Sequence, residues 1–264
     1  MAVHRYRVSS PAPIELEVDV RGEGDDAVLL LPSLGRGRAD FDALVDALVR
    51  EGFRTLALDP RGIGHSDNAT FENLTLHTLA DDAAAALDAL AIERAHVIGH
   101  AFGNRIARCL QADHPARVRS LALLAAGGRV PPVEEAVDAF RRFVSTPMAP
   151  DAFLHEVAAA NFSPASDPSA WADGWWLDTA RGQATAAGRT ELEDWWLPGS
   201  DVAVLIVQGL DDRMAPPANG RSLGEALGAR ARLVEVEQAG HALLPEQPAQ
   251  VEAAVLEFLS GQRS

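Results

Sequence analysis

The stretch HVIGHAFGNRIAR, at residues 96–108, constrains the fold more than any other part of this sequence. It begins with residues that favour an extended strand, and from Ile106 onward its apolar residues recur at helical spacing. Gly99 and Gly103 flank the junction, where glycine allows a tight turn. The sequence therefore predicts a strand that turns sharply into a helix, with Ala101 at the centre of the turn.

Strand-like and helical patterns alternate along most of the chain. Residues 5–20 alternate enough to predict two edge strands around the turn Ser-Ser-Pro-Ala-Pro. Short apolar runs predict buried strands at 28–31, 54–58, 118–124, 202–207 and 233–236. Apolar periodicity predicts helices at 40–48, opened by Asp40 and stopped by Gly52, and at 79–90, 222–227 and 249–259. This order indicates the α/β class, with a mostly parallel, doubly wound sheet covered on both faces.

The segment from residue 129 to residue 199 has a different character. It contains no strand-like run, and prolines interrupt an otherwise helical pattern. We interpret it as a helical cap inserted over the carboxyl edge of the sheet. The predicted organisation is therefore a core made of residues 1–128 and 200–264, with a cap at residues 129–199.

Composition excludes several classes of function. The chain has 264 residues, a net charge of −15 and no lysine, which argues against nucleic-acid binding and excludes a lysine Schiff base. The single cysteine, Cys109, cannot form an internal disulfide. The N-terminus lacks the apolar core of a signal peptide, and no apolar run is long enough to span a membrane. We expect a cytoplasmic protein that binds neither membrane nor nucleic acid.

Five segments, in the same order as in the family, resemble motifs of the α/β-hydrolases. They are the turn GHAFG, the loop in LLLPSLGRG, the stretch LDPRGIGHSD, the strand end VLIVQGLDDRMAPP and the loop AGHALLPEQP. The resemblance extends over nearly the whole chain. It implies the α/β-hydrolase type of sheet with an inserted helical cap, and the hydrolysis of an ester, thioester, lactone or carbon–carbon bond.

The chain departs from the family pattern at the nucleophile. In G-x-S-x-G the central serine attacks the substrate, and this chain has Ala101 in its place. Alanine cannot form an acyl-enzyme. The resemblance also implies an oxyanion hole formed by the backbone N–H groups of Leu34 and Phe102. The loop that carries Leu34 reads Pro-Ser-Leu-Gly, where relatives often have His-Gly-x-Gly.

The same resemblance identifies His241 as the catalytic base. A histidine near its ordinary pKa can accept and return a proton near neutral pH. Its partner is an adjacent carboxylate that fixes the tautomer, either Asp211 or Asp212. The G-x-x-D spacing from Gly209 favours Asp212, and we expect Asp211 to cap a turn or face solvent.

Other side chains could replace the missing hydroxyl. Cys109 follows Ala101 by about two helical turns, so we expect it to point into the core. Ser33, in the oxyanion loop, could approach the pocket, although a simple turn hydroxyl is the preferred interpretation. We expect His100 to be a structural hydrogen-bonding residue.

The segment 129–199 contains all five tryptophans, at positions 171, 175, 176, 195 and 196. Some are expected to pack cap helices together, and Trp175 and Trp176 are candidates to line a pocket for a small hydrophobic or aromatic substrate. Arg36 and Arg38 could meet an anionic group, but solvated surface positions are expected for both. No metal-ligand spacing, P-loop or dinucleotide fingerprint occurs, so we expect no metal and no cofactor.

Three hypotheses about function remain open at this level. The chain is a serine hydrolase whose nucleophile was deliberately replaced, or a natural enzyme that uses a His–Asp general base without a covalent intermediate. The second hypothesis includes cofactor-independent lyases and oxygenases of this fold. The third is a catalytically inactive relative that binds a ligand.

Overall fold

A computed structural model describes residues 2–8, 14–67, 71–199 and 202–263. Within these residues eight strands form one sheet in the order β1-β2-β4-β3-β5-β6-β7-β8. The strands are β1 (Ala2–Val8), β2 (Ile14–Arg21), β3 (Ala27–Leu31), β4 (Arg54–Asp59), β5 (Ala95–His100), β6 (Val118–Leu124), β7 (Ala203–Gly209) and β8 (Ala231–Val236).

The sheet is parallel from β4 to β8, and β2 pairs antiparallel with both β1 and β4 at one edge. The predicted mostly parallel sheet is therefore confirmed, with the two N-terminal strands at its edge. The predicted turn between them, Ser-Ser-Pro-Ala-Pro, lies outside the described residues. Crossover connections bring the carboxyl ends of β3, β5, β6 and β7 to the same edge of the sheet, which is where parallel α/β sheets place their sites.

Helices cover both faces of the sheet. The helices are α1 (Asp42–Arg50), α2 (Leu76–Ala89), α3 (Phe102–Asp113), α4 (Glu134–Ser145), α5 (Pro150–Asn161), α6 (Leu177–Gly188), α7 (Ala218–Leu227), α8 (Leu243–Glu246) and α9 (Pro248–Ser260). Apolar residues of α2, α3 and α7 pack on one face, and those of α1 and α9 pack on the other. Each buried leucine in these layers contributes about 1.5–3 kcal/mol.

The helices start at other residues than the sequence predicts, by up to four positions at α7, and contacts explain the shifts of α1 and α2. A short 3-10 helix, Arg38–Phe41, precedes α1, so Asp40 does not open the α-helix. The reason is that both carboxylate oxygens of Asp40 accept from the Arg36 guanidinium, at 3.0 and 2.6 Å. Helix α2 begins at Leu76, three residues before the predicted start, because the Thr75 side chain accepts from the Thr78 N–H.

The segment between β6 and β7 has no strand among its described residues, and α4, α5, α6 and short 3-10 helices alternate with loops in it. It has its own apolar cluster, in which Phe143, Phe162 and Trp171 are buried. No helix in the described part of the chain is long and apolar enough to cross a membrane.

Candidate active site

The junction between β5 and α3 forms a sharp turn at Ala101. Strand β5 ends at His100, and Phe102 is the first residue of α3. Ala101 has φ 51° and ψ −106°, a left-handed conformation that costs a residue with a side chain about 1–3 kcal/mol. The Ala101 N–H donates to the carbonyl oxygen of Leu124 at 2.8 Å, which fixes the turn to β6.

The residues around the turn explain why the motif requires two glycines. A Cβ at Gly103 would lie 2.0 Å from the Leu31 carbonyl oxygen, and one at Gly99 would lie 2.5 Å from the backbone of Asn104. The Asn104 side-chain amide donates to the Leu124 and Ala125 carbonyls at 3.1 and 3.0 Å. The strained turn is therefore held by close packing against β3 and by hydrogen bonds to the end of β6.

The loop after β3 faces this turn across a cavity. Leu34 and Phe102 both line the cavity, and neither backbone N–H donates to a backbone acceptor within the described residues. Gly35, with φ 68°, donates its N–H to Gln183 Oε1 at 2.8 Å and so ties the loop to α6. Two free amides that line the cavity beside Ala101 form a potential binding site for a developing negative charge.

His241, on the loop after β8, is paired with Asp212, on the loop after β7. His241 Nδ1 lies 3.1 and 3.0 Å from the two carboxylate oxygens of Asp212. Because an ionised carboxylate only accepts, a neutral His241 carries its proton on Nδ1 and presents a lone pair at Nε2. The His241 ring lines the same cavity as Ala101.

The partner of His241 is thus Asp212 rather than Asp211. Asp212 is buried, and its carboxylate also accepts from the Ala215 N–H at 2.7 Å and from Gln208 Nε2 at 3.2 Å. Asp211 is exposed and accepts from the Ser163 hydroxyl at 2.7 Å. The role of Gln208 is not visible in the sequence, because β7 gives no signal that distinguishes it from an ordinary strand residue.

A second residue that sequence analysis missed, Glu246, holds the histidine loop. Its carboxylate accepts from the N–H of Gly240 at 2.8 Å and from the N–H of Ser163 at 2.7 Å. Burial raises the pKa of Glu246 although these donors oppose the shift. The carboxyl group thereby connects the residue before His241 to the segment after α5.

His100 is a structural hydrogen-bonding residue, as expected. Its Nε2 lies 2.8 Å from the His241 carbonyl oxygen, and its ring packs between those of Trp171 and His241. Burial first, and the neighbouring His241 second, lower the pKa of His100 to about 3. The ring is therefore neutral near pH 7 and donates from Nε2.

The cavity has a volume of about 240 Å³ and a mainly apolar lining. The lining residues that come from the segment 129–199 include Val137, Phe140, Asn161 and Trp175. Ser33 also lines the cavity, and its side chain makes no hydrogen bond with another described residue. The space at Ala101 can therefore hold a small apolar compound next to His241.

The two predicted pocket tryptophans separate in the structure. Trp175 lines the cavity, whereas Trp176 lies in a different groove beside Arg38 and Asp59. The expectation for Trp176 is wrong: its backbone N–H donates to the Gly35 carbonyl at 2.9 Å, and its ring packs near Gly37 rather than in the cavity. Trp171, Trp195 and Trp196 are buried packing residues.

The expectation that Arg36 and Arg38 are solvated is also wrong. Arg36 is 4% exposed, pairs with Asp40, and stacks 4.8 Å from the ring centre of Trp171. Arg38 pairs with Glu17 at 3.1 Å. Both arginines form ion pairs with carboxylates that are largely buried, and these pairs fix the segment after the loop that follows β3.

The remaining candidate nucleophile is inaccessible. Cys109 is fully buried, and burial raises the pKa of its thiol to about 12. A thiol in such a setting is inert. Within the described residues no cluster of three or more His, Cys, Asp or Glu side chains could hold a metal ion.

Comparison with known proteins agrees with this geometry. The family model for the alpha/beta hydrolase fold matches residues 26–248. The 2-hydroxymuconate semialdehyde hydrolase of Pseudomonas sp. strain CF600 is 30% identical over 234 residues, which cover 78% of this chain and 76% of that protein.

Solved structures are similar over almost the full length. Rv0554 from Mycobacterium tuberculosis has a TM-score of 0.84 and 26% identity, and the match covers 99% of this chain and 100% of that one. The enol-lactonase from Burkholderia xenovorans LB400 has a TM-score of 0.81 and 26% identity over 97% of this chain and 100% of that one. The matching family model and these similarities over nearly the full length show that this chain belongs to the α/β-hydrolase family of enzymes.

Proposed function

We propose that the cavity binds a small hydrophobic ester, lactone or carbon–carbon substrate and that the His241–Asp212 pair acts on it as a general base. The observation that carries this proposal is the bidentate contact of Asp212 with His241 Nδ1, at 3.1 and 3.0 Å. This contact fixes the tautomer that has its lone pair on Nε2, which is the form that a general base requires.

The substrate carbonyl is expected to lie between the turn and the loop after β3. In this position the N–H groups of Leu34 and Phe102 stabilise the oxyanion that develops when the carbonyl is attacked. The apolar walls, Phe140 and Trp175 among them, favour hydrophobic or aromatic groups. We assign residues 129–199 to a cap that contributes these walls, and the other residues to the core.

Ala101 determines which reaction the site can perform. Since position 101 has no hydroxyl, the covalent route through an acyl-enzyme is absent in this chain. His241 Nε2 accepts a proton from a water molecule whose oxygen attacks the carbonyl carbon. The oxyanion then collapses, the bond to the leaving group breaks, and the proton on Nε2 passes to the leaving group. Substrate binding and carbonyl polarisation do not depend on the missing oxygen.

A second candidate is removal of a proton from a carbon of the substrate, as in lyases and oxygenases that need no cofactor. Ala101 favours this reaction, because removal of a proton requires a base such as His241 but no nucleophile beside it. Incorporation of deuterium from D₂O at the acidic carbon of a recovered substrate distinguishes this reaction from hydrolysis.

The hydrolytic proposal is tested by comparing His241→Ala with the parent chain on a panel of para-nitrophenyl esters and lactones. We expect kcat/KM to fall about 10²- to 10⁴-fold, the usual contribution of a general base. His114→Ala is the matched control, since His114 pairs with Asp81 at 2.7 Å outside the cavity lining. Equal rates for the parent and His241→Ala would overturn the proposal.

A further inference from the structure

Arg105 is a cation in the wall of the cavity, on the same helix as the turn. It follows Ala101 by four residues in α3, which is about 6 Å along the helix axis. The other lining residues include no aspartate and no glutamate. A cationic group thus lies within reach of a substrate whose reacting carbon is at Ala101.

The guanidinium of Arg105 has no acceptor among the residues that the structure describes. Within the described part of the chain it forms neither a salt bridge nor a hydrogen bond, and its one ring contact is with Trp195, at 5.4 Å from the ring centre. Arg105 is half-buried, so an anion in the cavity would supply the acceptor that the described residues do not. Burial alone shifts the pKa of Arg105, and the shift is downward.

The next turn of α3 carries a second arginine, Arg108, and therefore does not neutralise the charge of Arg105. Arg108, one turn further along α3, is fully buried, and its hydrogen bonds are to neutral groups: the Asn104 side chain and the carbonyls of Asn104, Gly127 and Trp196. Burial first, and the charge of Arg105 second, lower the pKa of Arg108 to about 9. The described residues around Arg108 thus place no carboxylate beside Arg105, which is the arginine that lines the cavity.

The backbone leaves the guanidinium edge accessible. Gly127 lines the cavity after β6, and a Cβ at this position would lie 3.3 Å from Arg105 Nη2. The absence of a side chain here keeps open the space next to the Nη2 donor. A planar anion could form two parallel hydrogen bonds to the guanidinium from this space.

We infer that Arg105 binds a carboxylate of the substrate, so that the enzyme acts on an acid-bearing ester, lactone or ketone. This inference rests on the proposed function for the position of the reacting carbonyl, and it adds the substrate class. The carboxylate lies at the Arg105 end of the cavity, and a short carbon chain joins it to the carbonyl at Ala101. The apolar walls contact that chain.

The test measures binding, so that it does not depend on turnover. Calorimetry compares phenylbutyrate with its neutral amide, phenylbutyramide, on the parent chain, Arg105→Leu and Arg105→Lys. We expect the parent to bind the acid about 10- to 100-fold more tightly than the amide, which corresponds to a charge-assisted hydrogen bond. Arg105→Leu should lose this preference, and Arg105→Lys should keep part of it.

Arg129→Leu is the matched control, because Arg129 also stacks on a tryptophan, Trp196 at 5.1 Å, but is exposed and does not line the cavity. It should keep the full preference for the acid. A parent chain that binds the acid no more tightly than the amide, or binds neither, would overturn the inference whether or not the variants fold. A preference for the acid without hydrolysis of any ester would support the anion site and contradict the proposed function.

Discussion

His100 Nε2 donates to the carbonyl oxygen of His241 at 2.8 Å and so joins the turn at the end of β5 to the loop that carries His241. The other ring nitrogen, Nδ1, is buried without a partner among the described residues. The position of His241 relative to Ala101 is therefore set by the neutral imidazole of His100, which connects two segments distant in the sequence.

This arrangement predicts acid sensitivity of the fold. The pKa of His100 is lowered to about 3 in the folded chain, below the ordinary value of 6.5 that applies when the chain is unfolded. Unfolding therefore binds a proton below pH 6.5, and the free energy of unfolding falls as the pH decreases. Between pH 7 and pH 5 the loss from this group is about 2 kcal/mol. Urea denaturation of the parent and of His100→Gln, which keeps a donor, should differ in pH dependence by this amount; parallel curves would contradict the assignment.

We expect Asp59 to change the free energy of unfolding with pH in the direction opposite to that of His100. Burial raises its pKa to about 6 from 3.8, although the Arg38 backbone N–H donates to it at 2.7 Å. Its contribution to stability is complete below pH 3.8 and is lost as the pH rises through 6, by up to about 3 kcal/mol. Stability of the parent relative to Asp59→Asn should therefore decrease from pH 4 to pH 7 in urea denaturation. An increase over this range would show that the charged carboxylate is the favoured form.

Glu246 should act as a positioning residue for the histidine loop. Glu246→Ala removes the acceptor of two backbone N–H groups, so we expect a loss of about 1–3 kcal/mol and a melting temperature lower by several degrees. The loss should also lower kcat more than it raises KM, because the loop before His241 is released. Glu237→Ala, at an exposed position near the same loop, is the control. A change in melting temperature without a change in kcat would limit Glu246 to a structural role.

The close approach of α3 to β3 predicts that Gly103 is irreplaceable. Gly103→Ala would place Cβ 2.0 Å from the Leu31 carbonyl oxygen, where only a backbone shift gives room. We expect the free energy of unfolding to fall by about 2 kcal/mol or more. Gly188→Ala, at the end of α6 with no atom within 4 Å of the added Cβ, should be neutral or stabilising by less than about 1 kcal/mol. Similar effects of the two substitutions in denaturant titrations would refute this explanation of the motif.

Local pattern was sufficient to predict the sheet and the general place of the site. The strand–turn–helix at Ala101 and the separate segments with Asp212 and His241 each carry a local signal, and parallel topology brings them to one edge. No sequence pattern indicates that Arg36 pairs with Asp40, or that Glu246 accepts hydrogen bonds from two backbone N–H groups. Nothing in the sequence distinguishes Arg105 from other helical arginines. Its proposed role depends on the lack of aspartate and glutamate in the cavity lining, which only the three-dimensional structure shows.

In the function that we propose, the cavity, the two amides and the His241–Asp212 pair form an acyl-transfer site that lacks only a hydroxyl. Loss of a serine nucleophile costs such enzymes on the order of 10⁶ in kcat. The most direct measurement is the turnover of para-nitrophenyl butyrate by Ala101→Ser, together with mass spectrometry after exposure to a fluorophosphonate. We predict a gain of about 10³-fold or more over the parent and a covalent adduct at residue 101, since the amides and the base are in place. An Ala101→Ser chain that is folded but neither turns over the ester nor reacts with the fluorophosphonate would contradict the account.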